Sequence, residues 1–474
     1  MSKQSEEIKI EQSIEGISQA TIDKITKAWL ESGKVPFHIN PSLNKDDEEA
    51  IKNLARICIE ETGGEISNQS RVVHLGMIYI NLNSEGKARF LRILARDFDI
   101  NTKLLNDKIR KLRKAKNEDQ KIVAELELTK ALIPPRVKLL RQFILLPDGF
   151  IFLKEMRREL IPLIPTLPRL KKLDNDIKRI LRGFFDINLL DLVEINWNSP
   201  AILLEKLMEY EAVHEIKTWG NLKHRIHSDK RIYAFLHYKL PNEPLIFVEV
   251  ALTKGMADNI HELLDESKTP IDPKDANTAI FYSITATQKG LKGISYGNFL
   301  IKRVVNKLSS EFTNLKFYAT LSPIPKFRQW LEAYLLDHDD VLSMKEGEKI
   351  KKLAKTFSAN EGLLKILNSD WHKNKNKREA IKIPLLRFCA HYLIHEKKGD
   401  RAFDPVAHFH LSNGAKIQHI NWMADLSDNG LRQSAGLMVN YHYRLNKIVV
   451  NHEHYFSEAK VYASREVRNL LVKD

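Results

Sequence analysis

The stretch from Thr278 to Trp330 constrains this chain most: an apolar run, glycines, a helical run, a second apolar run, then a serine before two prolines. Thr278 to Ala286 is rich in β-branched and aromatic residues, the composition of a largely buried strand. Gly290, Gly293 and Gly297 follow, and Phe299 to Leu308 then carries apolar residues at helical spacing. In a strand, glycine-rich turn and helix, the N–H groups of the turn and the orphan donors of the helix start can converge on one point, a cradle for phosphate. The spacing matches neither a Walker loop nor the dinucleotide fingerprint, so on the residues alone a plain strand-to-helix connection stays open.

Leu315 to Leu321 reads as a second strand, ended by Ser322-Pro323-Ile324-Pro325, and Phe327 to Leu335 as a helix. Ser322 therefore falls at the C-terminal end of a strand, where open α/β sheets place ligand chemistry. Serine followed by proline is also a helix N-cap signature, and the local sequence favours that cap.

The runs Ala279 to Ile284, Gly297 to Val305, Leu321 to Pro325, Phe409 to Ala415, Ile420 to Asp425 and Gly436 to Tyr441 closely resemble the malonyl-CoA decarboxylase family. The resemblance spans nearly the whole chain and is densest from about Trp219 to Tyr443. It implies an α+β fold: an all-helical N-terminal domain, 1–183, used for subunit assembly, then a GNAT-like acyl-CoA catalytic domain with a mixed sheet, 184–474. It further implies malonyl-CoA and acetyl-CoA as ligands, a homo-oligomer (a tetramer), and a CoA cradle at Lys292, Gly293, Ile294, Ser295, Tyr296, Gly297 and Asn298. Ser322 and His410 fall at the family's catalytic and substrate-binding serine and histidine, and Tyr443 aligns with an active-site tyrosine. The implied reaction loses CO₂ from malonyl-CoA to give a thioester enolate, with Ser322 at the carboxylate and His410 protonating carbon. No metal or organic cofactor is expected, CoA being part of the substrate and the thioester the electron sink. Several members carry an acidic residue where this chain has Ser295, which leaves orientation of the histidine to Tyr443 or another group. The alternative is a GNAT-type CoA-dependent acyltransferase, which would need a second substrate groove.

The length, 474 residues, exceeds what one core usually serves. A formal charge of +14 suits an anionic partner, but the 75 basic residues are widely spread and no nucleic-acid-binding signature is present, so none is expected as a partner. Cys58 and Cys389 imply no disulfide framework. Met1 to Glu7 resembles no signal or transit peptide, Leu471 to Asp474 is no peroxisomal address, and the apolar run Phe143 to Leu153 is too short to span a bilayer. The expectation is a bacterial cytoplasmic enzyme that does not engage a membrane.

From Ile8 to about Arg182 helical periodicity dominates, with Leu104 to Lys130 read as one helix or a helical hairpin. Arg231 to Tyr238 and Leu245 to Leu252 read as a β-hairpin, and Leu437 to Tyr443 as a late strand. Phe409 to Trp422 reads as another hairpin turning at Asn413-Gly414, with His410 facing Ile417 and sharing one side with His408, which matches no functional position. His391 and His395 lie one helical turn apart, but no third ligand is evident and no metal site is expected.

Overall fold

A computed structural model of the chain describes residues 19–30, 39–61, 64–184, 190–211, 213–240, 242–294, 300–339 and 341–471. They divide into two compact units: the described residues of Met1–Leu190, His237–Pro241 and Gln288–Ser295, and those of Asp191–Leu236, Asn242–Thr287 and Tyr296–Asp474.

Among the described residues up to Arg182 every element is helical: α1 (Gln19–Leu30), α2 (Lys45–Glu60), α3 (Glu65–Asn81), α4 (Ser84–Asp97), α5 (Thr102–Lys114), α6 (Glu118–Ala131), α7 (Pro135–Leu145), α8 (Gly149–Leu160) and α9 (Leu170–Arg182), with a short 3-10 turn at Ile161–Leu163. Side chains fix several starts: Asn44, Asn83, Asn101 and Asn117 each accept an N–H from the first turn of the helix they precede. The periodic run from Leu104 resolves into the pair α5 and α6, bridged by Lys108 and Glu127 at 2.9 Å. The core holds Trp29, Tyr79, Phe90, Phe143 and Phe152, and both carboxylate oxygens of buried Glu159 are used, by Tyr79 (2.7 Å) and Lys87 (2.9 Å).

The strands of the large sheet are β1 (Leu190–Ile195), β2 (Lys230–His237), β3 (Ile246–Thr253), β4 (Thr278–Ala286), β5 (Phe317–Thr320), β6 (Ser322–Pro323), β9 (Lys416–Asn421) and β10 (Met438–His442); a two-stranded ribbon supplies β7 (Lys397–Lys398) and β8 (Arg401–Ala402). The order is β1-β2-β3-β4-β5-β10-β6, with β9 also against β10. β2, β3 and β4 pair antiparallel, β4 and β5 parallel, which makes the sheet mixed. β5 and β6 lie against β10 in a single register, Ala319 opposite His442 and Ser322 opposite Val439, so proline does not end the pairing at Ser322 as the sequence suggests. Helices α10 (Ala201–Tyr210) and α11 (Trp219–Arg225) pack on Ile232, Ala234 and Phe247, while Ile280, Tyr282, Ala319, Leu321 and Met438 cluster with Ile260 of α12 (Ile260–Leu263). Strand side chains alternate in direction, which sends Thr320 and Ser322 to the face opposite Ala319 and Leu321.

β4 pairs with β5 only from Thr278–Phe317 to Phe281–Thr320, and Leu321 N–H donates to Phe281 O at 3.0 Å. β4 then continues to Ala286 along β3, while β5 runs on into β6 against β10. Later elements are α13 (Leu300–Glu311), α14 (Phe327–Asp337), α15 (Met344–Ala354), α16 (Ala359–Leu367), α17 (Lys375–Ile394), α18 (Pro405–Ser412), α19 (Asp428–Ser434), α20 (Ile448–Glu458) and α21 (Arg465–Asn469).

Candidate active site

Ser322 is not a helix cap. The helix after it, α14, begins at Phe327, with Lys326 at the cap position. Pro323 instead sits in the β6 pairing, and the Ser322 side chain is 6% exposed. Its Oγ lies 2.9 Å from Thr320 Oγ1 and 3.1 Å from His410 Nε2.

His410 arrives from a helix, which corrects the hairpin reading of Phe409 to Trp422. Asp404 caps α18 by accepting the N–H groups of Val406 and Ala407, each at 2.9 Å, and Pro405 occupies the first turn. At the other end Asn413 takes the cap position and Gly414 the left-handed conformation, φ 81°, where a Cβ would collide with Ile448 O. Asn-Gly, which suggests a hairpin turn, here closes a helix; only Lys416–Asn421 is strand, and His410 does not face Ile417 across a ladder. The helix also separates the two histidines, since His408 Nδ1 contacts Tyr455 OH at 2.8 Å, outside the Ser322 cluster.

Tyr443 follows β10 and is anchored by its N–H donating to Tyr318 O at 2.8 Å. Its hydroxyl lies 2.8 Å from His410 Nδ1, so both imidazole nitrogens are engaged. Tyr441 stacks on the imidazole, centroids 4.5 Å apart at 24°. Burial pushes the His410 pKa down to about 3 and the Tyr443 hydroxyl well above its usual 10, so at neutral pH the ring is uncharged and the phenol keeps its proton.

The motif reading missed Thr320, Asn440 and Tyr441. Asn440 Nδ2 donates to Thr320 O (2.7 Å) and Ala257 O (2.9 Å), while Asn421 Nδ2 donates to Asn440 Oδ1 (2.8 Å). This clamps the backbone two residues before Ser322. The period of two along a strand was the available signal for Thr320.

Of the glycine-rich stretch, Lys292, Gly293 and Ile294 are described; Ser295, Tyr296, Gly297 and Asn298 lie outside the described residues. A 3-10 turn, Lys289–Leu291, precedes Gly293, whose φ is 76°. Within the same unit Arg157 donates to Gly290 O (2.6 Å) and Lys292 O (2.8 Å) while its Nε holds Asp174 at 2.8 Å. Lys154 Nζ donates to Gln288 Oε1 at 2.7 Å, and a Cβ on Gly293 would lie 3.0 Å from Lys178 Nζ. Arg157 thus holds two carbonyls of the turn, with a lysine beside Gly293. His391 and His395 are neighbours on α17, with ring centroids 5.3 Å apart, and His391 Nε2 faces Glu396 Oε1 at 3.3 Å. Among the described residues no three His, Cys, Asp or Glu side chains are grouped to hold a metal ion. No described helix is long and apolar enough to cross a membrane.

These features define an α+β protein with a helical N-terminal region and a mixed-sheet domain whose buried Ser–His–Tyr chain lies at a strand end. The chain belongs to the malonyl-CoA decarboxylase family, a family of carboxy-lyases: the Malonyl-CoA decarboxylase C-terminal domain profile matches residues 188–474 and the N-terminal domain profile residues 98–185. It is 35% identical over 402 residues to the mitochondrial malonyl-CoA decarboxylase of Anser anser anser, covering 81% of this chain and 80% of that one. The rat protein of the same name is 36% identical, over 74% of each chain. Crystal structures of malonyl-CoA decarboxylase from Rhodopseudomonas palustris (TM-score 0.81, 36% identity, 89% of this chain and 99% of that one) and Agrobacterium vitis (0.77, 36%, 90% and 100%) share the fold.

Proposed function

We propose that this protein decarboxylates malonyl-CoA to acetyl-CoA and CO₂, with 184–474 as the catalytic domain. The observation that carries the reading is the continuous contact Ser322–His410–Tyr443 inside a family member's mixed-sheet domain. Loss of CO₂ moves the C–C bonding pair onto the thioester as an enolate, so the site must stabilise charge on oxygen and deliver one proton to carbon. Ser322 faces the departing carboxylate and aims His410 Nε2–H through its lone pair, and that N–H gives its proton to the enolate carbon. Tyr443 O–H steadies the ring at Nδ1 as that proton leaves, and solvent returns a proton to Nε2 once the product has gone. This needs no imidazolium, in keeping with a ring uncharged at neutral pH. In this proposal the glycine-rich turn, of which Lys292, Gly293 and Ile294 are described, holds the CoA phosphates.

The thioester is the electron sink, so no cofactor enters the scheme. Assembly as a homo-oligomer through 1–183 and a cytoplasmic location belong to the same proposal. The test is purified protein incubated with malonyl-CoA and excess EDTA, with acetyl-CoA and CO₂ followed. Equimolar release of both without an acceptor is expected. Product formation that requires an acceptor amine would favour the acyltransferase, and activity restored only by zinc would overturn the metal-free scheme.

A further inference from the structure

Hydrogen-bond chains have a direction, and this one can be traced from its far end. Thr320 is fully buried on β5, two residues before Ser322 and on the same face. Its Oγ1 accepts the Tyr441 N–H at 3.1 Å and the Ser322 hydroxyl at 2.9 Å. Ser322 has one proton, and it is directed at Thr320, so toward His410 it presents a lone pair at 3.1 Å. A lone pair needs a donor, which makes Nε2 the protonated nitrogen of a neutral ring. Nδ1 is then bare and takes the Tyr443 O–H at 2.8 Å. The order runs Tyr443 O–H to Nδ1, Nε2–H to Ser322, and Ser322 O–H to Thr320.

We propose that Thr320 is a positioning residue that holds His410 as the Nε2–H tautomer by accepting the Ser322 proton, making the Ser322–His410 pair a proton donor instead of a base-activated nucleophile. In a serine nucleophile the same two atoms meet with the opposite polarity, the hydroxyl donating to Nε2. Two adjoining features keep Thr320 oriented. The Tyr441 N–H occupies one of its lone pairs, and the Asn440 amide grips its carbonyl. The inference rests on the proposed decarboxylation for its consequence, but the tautomer itself is a property of the unliganded protein.

The experiment combines ¹⁵N NMR of the histidine rings, with His410 assigned by its loss in His410→Asn, and steady-state kinetics with malonyl-CoA, on the full chain and on Thr320→Val and Thr320→Ser. Wild type is expected as Nε2–H. Thr320→Val, of nearly equal volume, removes the acceptor, so the serine proton turns to Nε2 and the ring changes to Nδ1–H. Its kcat falls tenfold or more at nearly constant KM. Thr320→Ser restores the hydroxyl and with it both the tautomer and most of kcat, while a melting curve for each variant separates loss of folding from loss of polarity. An Nδ1–H ring in wild type overturns the proposal, as does a Thr320→Val protein with unchanged tautomer and kcat. A wild-type protein that leaves malonyl-CoA intact removes the decarboxylase reading instead, and the tautomer result stands apart from it.

Discussion

Ser322 can be weighed in numbers. A lost helix cap costs about 1 kcal/mol of stability and leaves chemistry alone, whereas a lost acid–base partner costs about 10²–10⁴ in rate. With α14 starting at Phe327 and Ser322 held between Thr320 and His410, Ser322→Ala is expected to retain most of its melting temperature and to lose kcat in that range. Ser322→Ala/His410→Ala should be little worse than either single change, because residues that act as a unit are strongly non-additive. Multiplicative losses would assign the two side chains to separate steps. Tyr443→Phe removes the one hydroxyl at Nδ1 and should lower kcat while the His410 ring stays neutral from pH 5 to 8, its pKa being near 3; a ring titrating near 6.5 by NMR would contradict the uncharged imidazole. None of these roles was legible from local pattern. Ser-Pro reads as a cap and His410 as a strand residue, so the resemblance to a family singled them out, and only tertiary contacts, far apart in sequence, decide against the local reading.

Element boundaries were legible where one signal dominates. The buried strand Thr278–Ala286 is rich in β-branched and aromatic residues and is found at those bounds. Leu190–Ile195 was not foreseen as strand, because Asp191 and Glu194 interrupt its apolar residues. Asn413-Gly414 shows why a short motif misleads: a left-handed glycine serves a hairpin turn and a helix end alike, and the Asp404-Pro405 cap nine residues upstream selects the helix. In the glycine-rich turn, Arg157 is the element-scale determinant, because its two bonds to Gly290 O and Lys292 O commit those carbonyls. Arg157→Lys cannot span both carbonyls and Asp174 together. It is expected to raise the Kd for CoA, measured by calorimetry, several-fold, while kcat at saturating malonyl-CoA changes little. Unchanged affinity in a folded variant would place the phosphates elsewhere.

The helical region followed by a mixed-sheet region was visible from periodicity and glycine placement, whereas the interleaving of His237–Pro241 and Gln288–Ser295 with the first unit was not, since no local pattern records which unit a loop joins. Acid stability is a property of the whole molecule. Burial lowers His410 to about 3 and lowers His214 and His442 to about 4, so between pH 6.5 and 4 the unfolded chain holds protons that the folded one refuses. Each such proton removes roughly 1.4 kcal/mol per pH unit as pH falls. Burial, with the Glu249 charge beside it, raises Glu211 to about 7, which works the other way: the folded state keeps that proton, and stability declines as pH rises from about 4.5 to 7. Burial also lowers His74, His224, His395 and His408 and raises Glu194 and Asp404, so seven histidines against three carboxyls predict a net loss of unfolding free energy from pH 6.5 to 4.5 in denaturant titrations. Glu211→Gln should make that loss steeper and raise stability at pH 8; a flat profile in both proteins would contradict these environments.

The uninterrupted register of β5 and β6 against β10 makes the site a matter of parity. Thr320 and Ser322 share a face because both are even steps along one strand, and Leu321 belongs to the apolar cluster because it is an odd one. A substitution at either polar position edits one letter. An insertion or deletion of a single residue between Ala319 and Ser322 would exchange the two faces at once, burying the serine among Ala319's apolar neighbours and turning leucine toward His410. The spacing of this strand is thus as much a part of the chemistry as the side chains that it carries.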